Sequence, residues 1–409
     1  MSVRFTQEYR PLYFLSALGA GGLSVSFFMY LMFLVKHPAT PIPTVEDLAS
    51  VYRNGSTPAI IGVTLVLTAI AGFALQHLRL LAANLVALRR FTRAPAHDRL
   101  RESNAEVQLL AVPLTLAMTV NVLFIVAALS IPGLWDVVEY LFPVALVTMS
   151  AIGVHALVLF GRYLTRILTR RAFDLSDANH FSQLLPSMAF TMIAVGFSSS
   201  AAMSQVTATS LIGILGTFVF AAAALAWAAL AAPVSVHAIL RNGLASSAAP
   251  TLWIGIPILT LLGIATVRVT AGISHTIAHT QPPAVLLMVV LGLFLAAQVV
   301  IGLAGWATMH RQGYFANVVR GPQAQIPSYA LICPGVAASV LAMFFLHWGL
   351  VKTGVLTPYS PTHLALLVPV AAIQAITVMT FQRINRKHLT RRTSAPTASQ
   401  PSAHQSVPA

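Results

Sequence analysis

The run QLLPSMAFTMIAVGFSSSAAM, Gln183–Met203, holds no Asp, Glu, Lys or Arg. A hydrocarbon core of about 30 Å takes roughly 20 helical residues to cross, so this run is long enough to span a bilayer. A proline falls in its first turns and small residues follow. Nine further stretches read the same way. They are Pro11–Val35, Pro58–Leu88, Val107–Ser130, Val137–Arg162, Leu211–His237, Pro250–Val267, Pro283–Met309, Tyr329–Val351 and His363–Thr380. Only helices and closed barrels satisfy their backbone polar groups in lipid. Barrel strands alternate over about ten residues, so long unbroken apolar runs predict helices. The expected fold class is an all-α polytopic membrane protein of ten transmembrane helices.

Charge fixes an expected orientation. Numbered from the N-terminus, the odd gaps between helices carry only Lys36, Arg53, Arg268 and Lys352 of the 24 basic residues. The N-terminus and the even gaps carry the others. Cytoplasmic loops collect Lys and Arg, so both termini are expected in the cytoplasm. Hydrophobic residues make up 57% and charged residues 8% of the chain, against a charged share of about 25% in soluble domains. The net charge of +14 therefore belongs to helix ends and anionic headgroups and calls for no nucleic-acid partner. A single Cys excludes an internal disulfide and a cysteine metal cluster.

The chain divides into a ten-helix domain, residues 1–387, and a tail, 388–409. The tail is rich in Ser, Thr, Pro, Ala and Gln and is expected to be disordered and cytoplasmic. Within the domain, short outer connections pair the helices into five hairpins, with a longer one, Lys36–Thr57, between the first two. Odd helices share an early proline, in Gln108–Pro113, Gln183–Pro186, Leu252–Pro257 and Leu331–Pro334, and the first helix starts at Pro11. A membrane proline frees a carbonyl and kinks its helix. Irregular backbone at membrane depth packs in protein or lines a cavity. The odd helices are thus expected to line a central path and to be kinked at these prolines.

Five hairpins with both ends inside and proline-bearing odd helices resemble the TehA-like fold. That family comprises tellurite-resistance and dicarboxylate transporters, plant slow-type anion channels and fungal malate transporters. The resemblance covers nearly the whole chain in layout. It implies a pore ringed by the odd helices in each protomer, a homotrimer, and a bacterial inner-membrane location. Three motifs, Tyr9-Arg10-Pro11-Leu12-Tyr13-Phe14, Gly19-Ala20-Gly21-Gly22-Leu23-Ser24 and Leu331-Ile332-Cys333-Pro334-Gly335-Val336, are similar to the TsoY-type group of bacterial membrane proteins and selenoproteins. The anion channels carry a pore-blocking Phe just before a proline of the ninth helix. Here Cys333 stands before Pro334, so the resemblance implies a missing plug. Phe344, Phe345, Phe190 and Phe197 are its candidate replacements, and Cys333 is expected to face the axis.

The ten acids all lie in loops or at helix ends. Proton pumps and many cation-coupled carriers need a carboxylate at mid-membrane. Asn121, Gln298, Gln374 and Ser24 are polar groups within spans, and they either line a polar pore or bond helices together. The expected function is a transporter or channel for a small anion or sulfur-type solute. The alternative is a membrane subunit of a redox complex binding quinol or haem, with His155 and His347 as ligands. Their depths differ along their helices. His275 and His279 have the i,i+4 spacing of a metal pair but no third ligand nearby. With no nucleotide loop and no Ser–His–Asp pattern, the sequence assigns no catalytic residue, no metal and no cofactor.

Overall fold

A computed structural model describes residues 3–170 and 173–391. Among these, ten helices are long and apolar enough to cross a membrane. They are α1 (Pro11–Leu34), α2 (Thr57–Phe91), α3 (Asn104–Ser130), α4 (Leu134–Arg170), α5 (Phe181–Met203), α6 (Thr207–Asn242), α7 (Ser246–Ala278), α8 (Ala284–Arg311), α9 (Ile326–Val351) and α10 (Pro361–His388). The chain is an all-α polytopic membrane protein. The odd helices start, and the even helices end, at one end of the bundle. That basic end carries Arg89, Arg90, Arg170, Arg241, Arg311 and Arg386.

Burial separates two rings. More than half of each odd helix's apolar stretch is buried, from 56% for α7 to 94% for α5, whereas no even helix exceeds 33%. Around the inner ring α1 packs on α3, α3 on α5, α5 on α7, α7 on α9, and α9 back on α1. Each even helix sits over a seam between two inner neighbours: α2 over α1 and α3, α4 over α3 and α5, α6 over α5 and α7, α8 over α7 and α9, α10 over α9 and α1. The outer helices leave large apolar side chains exposed, such as Leu65, Val147, Leu215, Val300 and Val368. On a membrane span that is the lipid face.

Small and hydroxyl side chains let the inner helices approach closely. Helix α5 buries Ser187, Thr191, Gly196, Ser198 and Ser200. At Gly213 of α6 a Cβ would run into the backbone of Phe197 and Ala201, so only glycine allows that crossing.

Every inner helix opens with a 3₁₀ turn before becoming α-helical: Pro11–Tyr13, Asn104–Leu110, Phe181–Leu184, Ser246–Trp253 and Ile326–Leu331. The α segments then begin at Phe14, Ala111, Leu185, Gly255 and Ile332. Pro113, Pro186, Pro257 and Pro334 occupy the second or third residue of these segments. They mark the join between two helix types, in a first turn where a proline's missing N–H is tolerated.

At the basic end Val3–Phe5 pairs antiparallel with Leu389–Arg391. Lys387 Nζ donates to the carbonyls of Val318, Val319 and Gly321. The expectation of a disordered tail from residue 388 does not hold for 388–391, because His388 closes α10 and the next three residues find a strand partner. Its remainder, 392–409, lies outside the described residues, as do Arg171 and Arg392.

The long loop between α1 and α2 lies at the far end and holds a short helix, Val45–Asn54. A capping box starts it, with Thr44 Oγ1 and backbone N both donating to Asp47 Oδ2, at 3.0 and 2.9 Å. Glu46 accepts from the backbone N–H of Gly133 at 2.8 Å. That bond holds the Glu46 carboxyl below its usual range.

Candidate functional site

Two cavities lie inside the inner ring, and all five odd helices line both. The cavity nearer the basic end is about 70 Å³. Its wall includes Leu18, Gly19 and Gly22 of α1, Met188 of α5, Pro257 of α7 and Cys333 of α9. Its one hydroxyl, on Thr260, donates to Ala337 O at 2.9 Å and accepts from Gln298 Nε2 at 2.7 Å. The wall is therefore apolar in effect.

The outer cavity, toward the far end, is about 90 Å³. It shares Val25, Met118, Met192, Leu261, Ile264 and Val340 with the inner one. These six side chains form the partition. Beyond them stand Asn121, Ser199, Phe344 and Arg268, with Ile42 from the far-end loop over the top.

Arg268 is the charged residue on this path, and the sequence reading misplaced it. Ending the seventh span at Val267 put Arg268 in a loop. The helix continues instead through Val269–Ile273 and a wider π turn to Ala278, so Arg268 projects from within α7. Nη1 donates to Ser199 Oγ at 2.7 Å and to Val195 O at 3.2 Å, both on α5. Among the described residues Arg268 forms no ion pair, and its Nε and Nη2 groups have no hydrogen-bond partner. A charge within a span costs about 2.5–3.5 kcal/mol on insertion scales, so its place in a cavity wall needs a reason. The signal in the sequence was the apolar run after the charge, Val269-Thr270-Ala271-Gly272-Ile273.

The other sequence candidates divide. Cys333 lines the inner cavity; Asn121 and Phe344 line the outer one. Asn121 Nδ2 donates to Ala117 O at 3.2 Å and contacts Met192 Sδ at 3.8 Å. Pro334 is buried beside Cys333 and lines neither cavity. Three polar candidates are helix ties. Ser24 donates to Ile70 O of α2 at 3.1 Å, Gln298 to Ile256 O of α7 at 2.9 Å, and Gln374 to Ser26 Oγ of α1 at 2.8 Å. The remaining aromatics point outward from the axis. Phe190 packs edge-on against Phe160 of α4 at 5.3 Å, Phe197 stacks on Phe220 of α6 at 5.7 Å, and Phe345 lies over Gly292 of α8.

The histidine candidates are apart. His155 is exposed on the outer surface of α4, whereas His347 of α9 stacks on Phe33 of α1 at 4.7 Å. His275 bonds its neighbour Thr276, and His279 is exposed in a left-handed turn. Among the described residues no three His, Cys, Asp or Glu side chains gather as metal ligands.

Three buried histidines, His77, His363 and His388, escaped the sequence reading. His77 of α2 is wedged between inner helices, with Nδ1 2.7 Å from Ala17 O and Nε2 2.9 Å from Thr119 Oγ1. A side chain at Gly21 would collide with its ring.

The chain matches no protein-family model, and no curated protein matches it.

Proposed function

We propose that the inner ring is the conduit of a small-anion channel or passive transporter, entered from the far end past Arg268. The observation that carries this reading is the unpaired guanidinium in the wall of a cavity enclosed by all five inner helices. A fixed positive charge and polar groups at one level, with an apolar constriction next to it, are how narrow pores combine selectivity with gating by dewetting. The partition of Val25, Met118, Met192, Leu261, Ile264 and Val340 supplies that constriction. The absence of carboxylates from both walls supports an anion over a cation.

The reading extends to setting. The chain sits in a bacterial inner membrane with the basic end, and both termini, in the cytoplasm, following the distribution of Lys and Arg. It shares the TehA-like layout, and by that likeness it assembles as trimers with one path per protomer. The redox-subunit alternative loses support, because His155 and His347 share no cavity.

The test is flux from liposomes containing the purified chain, driven by chloride, nitrate or thiosulfate gradients. Anion-dependent current above that of empty liposomes is expected. Absence of flux for every anion, together with a haem-type absorbance in the purified protein, would overturn the reading.

A further inference from the structure

At the basic end a cleft of about 620 Å³ opens between the last turns of α4 and the residues 98–106 that lead into α3. Helix α4 has 37 residues, about 55 Å at 1.5 Å per residue, while the hydrocarbon core takes up about 30 Å. The last turns therefore stand at headgroup level. Arg162, Arg166 and Arg170 recur there every fourth residue and all line the cleft. Side chains at that spacing share one face, about 5–6 Å apart, and like charges so placed destabilise a bare helix.

Arg166 is committed to the protein. Its Nε donates to Glu106 Oε2 at 2.8 Å and its Nη2 to Ser103 O at 2.8 Å. Arg101 approaches the other Glu106 oxygen at 3.8 Å, and Asp98 lies 3.6 Å from His97. Glu102 completes the acidic side of the cleft. Arg162 and Arg170 form no ion pair among the described residues. Below them the wall turns apolar. Val158 lines the cleft, and Leu157 beside it and Val154, one turn deeper, are exposed.

We propose that this cleft binds one anionic glycerophospholipid of the adjoining leaflet. Its phosphate lies between Arg162 and Arg170, and an acyl chain runs down Val158, Leu157 and Val154. Three features argue for it: a basic row at headgroup depth, two arginines left without carboxylates, and an apolar track leading from them into the bilayer. Basic pockets at the edge of a helical bundle bind such headgroups. Free phosphate offers the same headgroup chemistry without the acyl contact.

The test uses the purified full chain in detergent. Bound lipid is counted by native mass spectrometry during titration with phosphatidylglycerol or phosphatidylcholine, and with inorganic phosphate as competitor. Phosphatidylglycerol should bind with one tight site, and R162Q/R170Q should weaken it about tenfold. R89Q/R90Q, which removes two charges from α2 at the same end, should leave the site intact. R162Q and R170Q singly should each weaken binding by a smaller factor, covering the case in which the double variant fails to fold. Equal binding of phosphatidylcholine by the wild-type chain would overturn the proposal. So would equal loss in R89Q/R90Q, or full displacement by millimolar phosphate.

Discussion

The two cavities of the inner ring are built by the same five helices and share one wall, yet they differ in chemistry. The inner one is faced by alkyl and sulfur groups, and its hydroxyl is already bonded. The outer one holds a guanidinium with donors to spare. One turn or two along a helix changes which side chains face the cavity. On the proposed channel reading, binding would belong to the outer compartment and exclusion to the partition below it.

The comparison breaks first at Arg268. R268Q keeps much of the bonding to Ser199 and Val195 but loses the charge. Hydrogen bonds to charged groups are worth about 1.5–3 kcal/mol, so anion flux should fall about tenfold or more. R268K should fall less. Unchanged flux in R268Q would separate the outer cavity from transport.

The partition is the next place to press. Met192 lines both cavities, and M192A should raise basal flux about threefold if dewetting there is the barrier. A large-to-small change in a packed region costs about 2–5 kcal/mol, so thermal unfolding must show the variant folded. Lower flux in a folded variant would locate the barrier elsewhere. Cys333, the single cysteine, reports on the same wall. A small charged thiol reagent added at the far end should modify it slowly in the wild type and several-fold faster in M192A. Equal rates in both would mean that the partition does not limit access.

Two smaller effects separate scaffold from path. Q298L should lower stability by about 0.6–2 kcal/mol, the range for a bond between membrane helices, and leave anion selectivity unchanged in the flux assay. The last concerns pH. Glu46 has a lowered pKa in the folded chain, so its contribution is present above the ordinary carboxylate range and is lost as pH falls through the lowered value. Proteolysis of the far-end loop should therefore increase at acid pH, and E46Q should show the same cleavage at neutral pH. Glu46 is well exposed, so the effect should be modest and salt-sensitive.

Legibility followed the range of the interaction. Ten spans and their pairing came from local hydrophobicity, because lipid demands an apolar helix whatever its neighbours are. Cys333 was singled out from its place before Pro334. Gln374 read as a pore group or, more readily, as a tie; its partner Ser26 lies 348 residues away, so only helix rotation decides between them. Phe190 and Phe197 lost candidacy the same way, turning to aromatics of α4 and α6. Arg268 was misread because a charge ordinarily ends an apolar run.

Hydrophobicity and charge along the chain make this a ten-helix membrane protein and set which end of the bundle collects its basic residues. Both follow from transfer of each segment between water and lipid, which depends on composition alone. Tertiary structure decided that the odd helices form a closed ring around two cavities. It also decided that Arg268 lies in a cavity wall without a carboxylate and that Gln298 and Gln374 hold the rings together. Those facts depend on the rotation of each helix about its axis, which close packing fixes only when all ten are in place.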